Sequence, residues 1–187
     1  GATNDMDYIS FISNENMQKR LSEGMTAEDM NMIQEIPQKK VANYFYKNNG
    51  DLTFSKLPNN EKSFSNGTIY SDLDNDGDLD IVVNNLNQES FLYQNLSQEK
   101  GSKNNHLKII FKGNHLNKYG IGAKIIICNS GKKQYYENYL TRGYMSSVAP
   151  KITVGLGEKE RVDSLIVIWP KGEYHVLKNI ASNKEIT

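Results

Sequence analysis

The sequence has little cysteine, no net charge and no long apolar run, and each shortage excludes a class of protein. Cys128 is the single cysteine, so an internal disulfide framework is excluded, and its apolar setting in KIIICNS predicts a buried thiol. The 22 basic residues balance the 22 acidic ones, which leaves no basic surface for nucleic acid or anionic lipid. No apolar run approaches the ~18 residues of a membrane-spanning helix. The sequence therefore predicts a protein with no nucleic-acid partner and no membrane span.

Asparagine, in contrast, is abundant. The chain holds 23 asparagines, many in turn-like settings such as KNNGD, PNNE and KNNH. Because asparagine tolerates left-handed backbone and caps turns, this composition favours many short strands over long helices.

Five aspartates occupy alternate positions in the stretch SDLDNDGDLDIVVNN, which begins at Ser71. Two carboxylates ~4 Å apart repel by about 1 kcal/mol in water, and by more where solvent is thin. Such a cluster requires either full solvation or a cation. The five residues are Asp72, Asp74, Asp76, Asp78 and Asp80.

The spacing of this run favours a calcium loop over a solvated acidic turn, which is the alternative. Counted from Asp72, carboxylates fall at loop positions 1, 3, 5 and 9, and Gly77 at position 6 permits a sharp bend. Hard oxygen ligands suit Ca²⁺, and zinc is disfavoured because no histidine or cysteine is adjacent. An EF-hand would need a glutamate at position 12, where Val83 stands, and helices where GTIY and DIVVNN are strand-like. We therefore expect a strand-to-strand turn that holds calcium over residues 72–80.

DLDNDGDLDIVVNN resembles the calcium loop of FG-GAP or VCBS repeats, the blades of integrin-type β-propellers, whose pattern is DxDxDGxxD. The resemblance implies that Asp72, Asp74, Asp76 and Asp80 are side-chain ligands of Ca²⁺. It implies a main-chain ligand at Asp78, whose carboxylate would only add to the negative field. FLYQN, which ends at Asn95, is similar to the LYRN element that follows the loop in these repeats.

A second, incomplete copy of the repeat stands near the amino end. DMDYISFISN from Asp5 aligns with DLDIVVNNLN from Asp78, and YFYKN aligns with FLYQN. Two blades cannot close a propeller, so we expect a partial propeller that upstream blades of a longer parent protein would complete. Between the aligned segments DMDYISFISN and YFYKN, the stretch LSEGMTAEDMNMIQEIPQKK predicts one short amphipathic helix. Thr26 stands in its capping box, and Pro37 marks its end.

The carboxyl-terminal half predicts a different β domain. HLKIIFKG, AKIIICN, KQYYENYL, KITVGL, VDSLIVIWP and EYHVLKN are six strand candidates, and WPKGEY predicts a hairpin bent at Pro170 and Gly172. NKYGIGAKIII, LTRGYMSS and ITVGLGEKERVDSLIVIWPKG together resemble the ASPIC/UnbV domain, from Asn114 to about Ile180. The predicted fold class is thus mostly all-β, with propeller-like repeats over 1–100 and a β-sandwich or open barrel over 105–187.

No catalytic constellation stands out. YGIGAK and GLGEKE lack the remaining features of phosphate-binding loops, so tight turns explain them better. His106, His115 and His175 have no triad spacing to a nucleophile. Arg142 in LTRGYMSS could bind a carboxylate or stack on a sugar, but a turn in which it holds backbone carbonyls is favoured. A glycosidase would need a carboxylate pair, and the aspartates are better assigned to calcium.

We therefore expect a non-catalytic, calcium-stabilised module for binding or adhesion, with a glycan or a protein as its ligand. The resemblances place it outside the cell or at a bacterial cell surface, anchored through a segment upstream of Gly1. The alternative is an accessory domain of a larger polysaccharide-processing enzyme or surface uptake system. The first hypothesis predicts binding without turnover, and the second predicts a catalytic domain upstream.

Overall fold

The computed structural model describes residues 6–24, 26 and 39–187, and this part of the chain is mostly β-structure. The predicted all-β class is confirmed. Contacts within the chain define two compact units, residues 1–64 and 65–187. This division lies elsewhere than the domain boundary that the sequence suggests near residue 100, which stays a prediction. Neither helix of the described residues is long and apolar enough to cross a membrane.

The first unit contains short helices and short strands. Its described elements are α1 (Met6–Ile12), α2 (Glu15–Glu23), β1 (Val41–Ala42), β2 (Phe45–Asn48), β3 (Phe54–Leu57) and β4 (Lys62–Ser63). The strands pair as two antiparallel ribbons, β1 with β4 and β2 with β3. Asn14 caps α2, because its Oδ1 accepts a hydrogen bond of 3.0 Å from the Asn16 backbone N–H.

Helix α1 corrects the expected repeat at the amino end. Residues 6–12 align in sequence with a β-strand of the second copy, yet they are helical. The reason is local: DIVVNN carries three consecutive β-branched residues, whereas Ile9 and Ile12 stand alone and three positions apart, a helical spacing. Asp5 and the helix expected between Met25 and Pro37 lie outside the described residues, Thr26 excepted, and that helix stays a prediction.

The second unit contains the remaining strands. They are β5 (Ser65–Ser71), β6 (Asp80–Asn85), β7 (Phe91–Tyr93), β8 (Asn105–Ile110), β9 (Lys124–Asn129), β10 (Lys132–Glu137), β11 (Thr141–Gly143), β12 (Ser146–Ser147), β13 (Lys151–Gly157), β14 (Arg161–Ile168), β15 (Tyr174–Ala181) and β16 (Lys184–Ile186). All six strands predicted in the carboxyl-terminal half are confirmed, as β8, β9, β10, β13, β14 and β15.

A β-sandwich forms the core of this unit. One sheet has the order β10-β9-β14-β15, and the other has the order β13-β8-β16, with β16 parallel to β8. The two sheets share one apolar cluster, because alternate side chains of each strand point inward. The cluster comprises Leu107, Ile109, Phe111, Ala123, Ile125, Ile127, Ile152, Val154, Leu156, Val162, Leu165, Val167 and Ile180.

The hairpin predicted in WPKGEY is confirmed between β14 and β15. The Trp169 N–H donates to the Glu173 carbonyl at 2.8 Å, and the Gly172 N–H donates to the Trp169 carbonyl at 2.8 Å. Gly172 has φ 90°, a conformation that glycine adopts without strain.

A three-stranded antiparallel sheet of order β5-β6-β7 stands beside the sandwich in the same unit. Strands β5 and β6 form a hairpin in which Ser71 is the partner of Asp80. The aspartate run is therefore the loop of this hairpin, and the predicted strand-to-strand turn is confirmed. Strand flanks on both sides also exclude an EF-hand, which requires helices there.

Candidate metal centre

The hairpin loop between β5 and β6 folds back on itself through two left-handed residues. Asn75 has φ 66° and Gly77 has φ 102°. The His106 ring lies against Gly77, since a Cβ built on that glycine would clash with the ring. Glycine at loop position 6 thus serves both the bend and a close approach to β8.

Asp72 is a buried predicted ligand, with a side chain that is 0% exposed. Its Oδ2 accepts a hydrogen bond of 3.1 Å from the Gly77 N–H and forms an ion pair with the Lys108 ammonium. Its Oδ1 is buried and accepts no hydrogen bond from the described residues. One oxygen is therefore committed to the protein, and the other is open to a cation.

Asp74 and Asp76 each turn one oxygen back to the loop. The Asp76 N–H donates to Asp74 Oδ1 at 3.3 Å, and the Asp78 N–H donates to Asp76 Oδ1 at 2.9 Å. Gln94 Nε2 donates to Asp74 Oδ2 at 2.9 Å. Aspartate side chains that bond the backbone two residues on are typical of tight turns, and they hold these carboxylates in place.

Asp78 uses its carboxylate, although the resemblance implies only a main-chain role. Its Oδ2 accepts a hydrogen bond of 3.2 Å from the Gln98 N–H, and its Oδ1 is buried without a partner among the described residues. Burial raises the pKa of the Asp78 carboxyl, and the negative charges of Asp76 and Glu99 add to this rise, against the lowering effect of the Gln98 hydrogen bond.

Asp80 closes the loop through hydrogen bonds. Its Oδ2 accepts from the Leu73 N–H at 3.0 Å, and its Oδ1 accepts from the Asn95 N–H at 2.9 Å. Asp80 joins neither close group of carboxylates described below. Its role as a calcium ligand stays a prediction, while its structural role is to fix the loop to the segment after β7.

The structure brings the acidic side chains together in two groups that share Asp76. One oxygen each of Asp72, Asp74 and Asp76 lie within 4.8 Å of one another, and the same holds for Asp76, Asp78 and Glu99. Glu99 follows β7 and carries no spacing signal, so the sequence gives no reason to include it. The two groups together contain five carboxylates, including that of the shared residue Asp76.

Three oxygens in these groups are both buried and unpartnered within the described residues: Asp72 Oδ1, Asp76 Oδ2 and Asp78 Oδ1. A buried carboxylate oxygen without a donor costs free energy unless a cation compensates it. Ca²⁺ takes 6–8 oxygen ligands, carboxylates among them. The donor set is all oxygen, so its chemistry fits this ion.

Two basic side chains approach the loop from β8. Lys108 pairs with Asp72. His106 lies two residues before Lys108 on the same face of the strand, and its ring contacts Gly77. Burial lowers the pKa of the His106 imidazole, and the nearby Lys108 charge lowers it further, while Asp72 and Asp76 act in the opposite direction. The sequence did not connect either residue with the loop, because β8 lies more than twenty positions beyond it.

The other candidate residues take structural positions. Arg142 donates from Nη2 to the Glu137 carbonyl at 3.5 Å, in agreement with the favoured turn role. In YGIGAK, Gly120 and Gly122 have φ 60° and φ 78°, and strand β9 follows where a phosphate loop needs a helix. The Trp169 Nε1–H donates to His175 Nδ1 at 3.2 Å beside the hairpin of β14 and β15.

Comparison with known families supports one of the two resemblances. The family model described as ASPIC and UnbV matches residues 113–187. No curated protein matches the chain. The carboxyl-terminal resemblance is thereby supported over β9–β16, and the match begins after β8, although β8 is part of the same sandwich. The resemblance of the aspartate loop to FG-GAP or VCBS repeats stays a prediction.

Proposed function

We propose that residues 65–187 form a calcium-stabilised, non-catalytic binding module that works outside the cell, with the loop at residues 72–80 as its calcium site. The observation that carries the proposal is the set of three buried carboxylate oxygens without a hydrogen-bond partner among the described residues, at Asp72, Asp76 and Asp78. Oxygens in this state favour a divalent cation over a solvated turn, because a solvated turn would leave its carboxylates in contact with water.

Calcium, when bound, would supply the positive charge that lets these carboxylates stay close together. The chain's own residues hold the carboxylates in advance: backbone N–H groups of Gly77, Asp78 and Gln98 each bond one oxygen and leave the other unpartnered. Little side-chain freedom is then lost on binding, which favours affinity. Extracellular modules bind calcium at roughly 10⁻⁴ to 10⁻³ M, so occupancy would require a calcium-rich medium.

The proposal of a binding role, and not a catalytic one, rests on how the carboxylates are used. A general acid or base needs a carboxyl group that can reach a substrate proton. Both carboxylate oxygens of Asp80 accept hydrogen bonds from backbone N–H groups. The Asp72 side chain is fully buried and pairs with Lys108. These contacts suit a scaffold that holds a loop in shape. We propose a glycan or a protein as the ligand of the module.

We expect calcium to raise the melting temperature of the wild-type chain over its value in chelator. At a calcium concentration ten times Kd, linkage adds about 1.4 kcal/mol to the free energy of unfolding, which corresponds to a shift of several degrees. Thermal unfolding followed by circular dichroism measures this shift. A binding array of glycans and proteins, probed in calcium and in chelator, measures retention of a ligand and release of any cleavage product.

Asp76→Asn removes the charge shared by both carboxylate groups and keeps an oxygen that can accept from the Asp78 N–H. We expect this variant to lose the calcium shift and to melt in chelator at or above the wild-type temperature, because repulsion is relieved. Glu158→Gln is the matched control, since it removes one exposed negative charge in the turn between β13 and β14. The proposal is contradicted if calcium does not change the wild-type melting temperature, or if it raises the melting temperature of Asp76→Asn as much as that of wild type.

A further inference from the structure

Strand β8 has an apolar face in the core and a partly buried polar face on the other side. Leu107 and Ile109 point into the core of the sandwich, with exposed fractions of 0% and 3%. Lys108 stands between them on the other face and is still only 8% exposed. Its ammonium pairs with Asp72, while His106 on the same face lies against Gly77. The aspartate loop therefore covers the outer face of β8 and receives a lysine from it.

We propose that Lys108 is an internal counter-ion of the aspartate loop, which supports the loop without metal and thereby weakens its affinity for calcium. This inference rests on the proposed calcium site. Lys108 would set the calcium concentration at which the loop becomes occupied. It is not a metal ligand, because its ammonium contacts Asp72 and acts on the site through its charge.

The division of labour between the two oxygens of Asp72 is the first support. Oδ2 carries both the Lys108 ammonium and the Gly77 N–H, whereas Oδ1 belongs to the buried and unpartnered set. A cation on the open side would share one carboxylate with the ammonium. Two positive charges on one buried carboxylate repel each other, and salt screens them poorly because the side chains of Asp72 and Lys108 are only 0% and 10% exposed.

The state without metal is the second support. A buried charge that loses its partner is strongly destabilised. If a neutral residue replaces Lys108, Asp72 lacks a cation in the empty loop, and calcium then supplies the missing partner. Both effects act in the same direction, because one makes the empty loop less stable and the other removes repulsion from the filled loop. Lys108 therefore lowers calcium affinity while it stabilises the empty loop.

One effect acts the other way. A residue that orients a metal ligand can raise metal affinity, and its loss then costs 10–100-fold. At Asp72 the Gly77 N–H holds the same oxygen independently at 3.1 Å, so the carboxylate keeps its direction when the lysine is removed. The charge effects therefore dominate, and the sign of the change in affinity distinguishes the two roles.

The experiment is a calcium titration by calorimetry on the full chain, with melting curves in chelator and in calcium. We expect Lys108→Met to bind calcium at least about tenfold more tightly, or about 1.4 kcal/mol, than wild type. Its melting temperature in chelator should fall, and its rise on adding calcium should exceed that of wild type. Lys108→Gln serves as a second neutral variant in case the methionine variant does not fold in chelator, and the same changes are expected.

Two controls separate charge from packing. Lys108→Arg keeps the charge. Its Kd for calcium should lie within about threefold of the wild-type Kd, which is a difference in binding free energy of less than about 1 kcal/mol. Lys124→Met removes a lysine whose side chain is 61% exposed and whose Nζ lies 3.9 Å from Glu137 Oε1. This variant should leave the calcium affinity unchanged, because an exposed ion pair contributes little.

Each outcome decides the inference. Unchanged or weaker calcium binding in both neutral variants, with normal binding in wild type, overturns the role of Lys108 and leaves the calcium site intact. Calcium binding in a neutral variant but not in wild type supports the role of Lys108. Absence of calcium binding in wild type and in the neutral variants overturns both proposals.

Discussion

Gly77 is the residue at which local conformation and tertiary contact impose the same requirement. Its φ of 102° lies in the region that side chains rarely tolerate, and the His106 ring occupies the space where a Cβ would point. The bend of the loop and its contact with β8 thus depend on one missing methyl group.

Gly77→Ala should lower the free energy of unfolding by at least about 1–3 kcal/mol, because backbone strain and displacement of the His106 ring add together. Urea unfolding measures the change. Gly143→Ala is the matched control, since Gly143 has an ordinary φ and nothing within 4 Å of its built Cβ. Equal losses in the two variants would show that the glycine at loop position 6 is dispensable.

At the residue level, the sequence predicted that the aspartates of the loop lie close together, but it did not predict which residues contact them. Alternate aspartates around a glycine sufficed to bring Asp72, Asp74 and Asp76 together, because the turn itself converges their side chains. Lys108, Glu99 and Gln94 could not be predicted, since they reach the loop through tertiary contacts. Asp80 was assigned to the metal by spacing, and the structure engages both of its oxygens in hydrogen bonds that only the packed fold provides.

At the scale of elements, β8 connects the sandwich core of the second unit to the aspartate loop. It is the middle strand between β13 and β16, one of its faces completes the sandwich core, and the other face contacts the aspartate loop. Loss of packing on the core face should therefore cost much more than loss of packing at the end of the strand.

Ile109→Ala should lower the free energy of unfolding by about 2–5 kcal/mol, because it opens a cavity in the shared core. Ile110→Ala removes the same atoms from the next position, which is only half-buried, and it should cost no more than about half as much. Chemical unfolding of both variants in chelator measures the difference. Similar losses at the two positions would contradict the assignment of the core face.

Strands were predictable where apolar residues are dense and poorly predictable where they are not. The six confirmed strands of the carboxyl-terminal half are rich in isoleucine, valine and tyrosine. β11, β12 and β16 are two or three residues long, and tertiary contacts decide their pairing: the Thr68 N–H, for example, donates to Ser146 Oγ at 3.1 Å. The helix at Met6–Ile12 does not follow from the alignment of this stretch with β6, because its own apolar spacing favours a helix.

For the whole molecule, the compact unit is larger than the part that matches a known family. The match covers residues 113–187, whereas the contacts gather residues 65–187 into one unit. The additional segment contains the aspartate loop and β8, and β8 provides Leu107 and Ile109 to the core. A fragment chosen by the family match alone would omit a strand on which the sandwich depends.

A fragment of residues 65–187 should fold by itself, unfold in one cooperative transition and show the same calcium-dependent rise in melting temperature as the full chain. The fragment of residues 113–187 is the comparison, and it should give no cooperative transition because β13 and β16 lose their shared partner. Calorimetric melting distinguishes the two. Cooperative unfolding of the shorter fragment would show that β8 is not required.

Because residues 107–109 of β8 are buried and paired on both edges, with β13 and with β16, we expect their amide hydrogens to have no local route to solvent. Deuterium can replace them only when the entire unit opens, so their exchange reports global opening and not fraying. An ion that tightens the loop above this strand would then slow isotope uptake in a segment that no ligand touches.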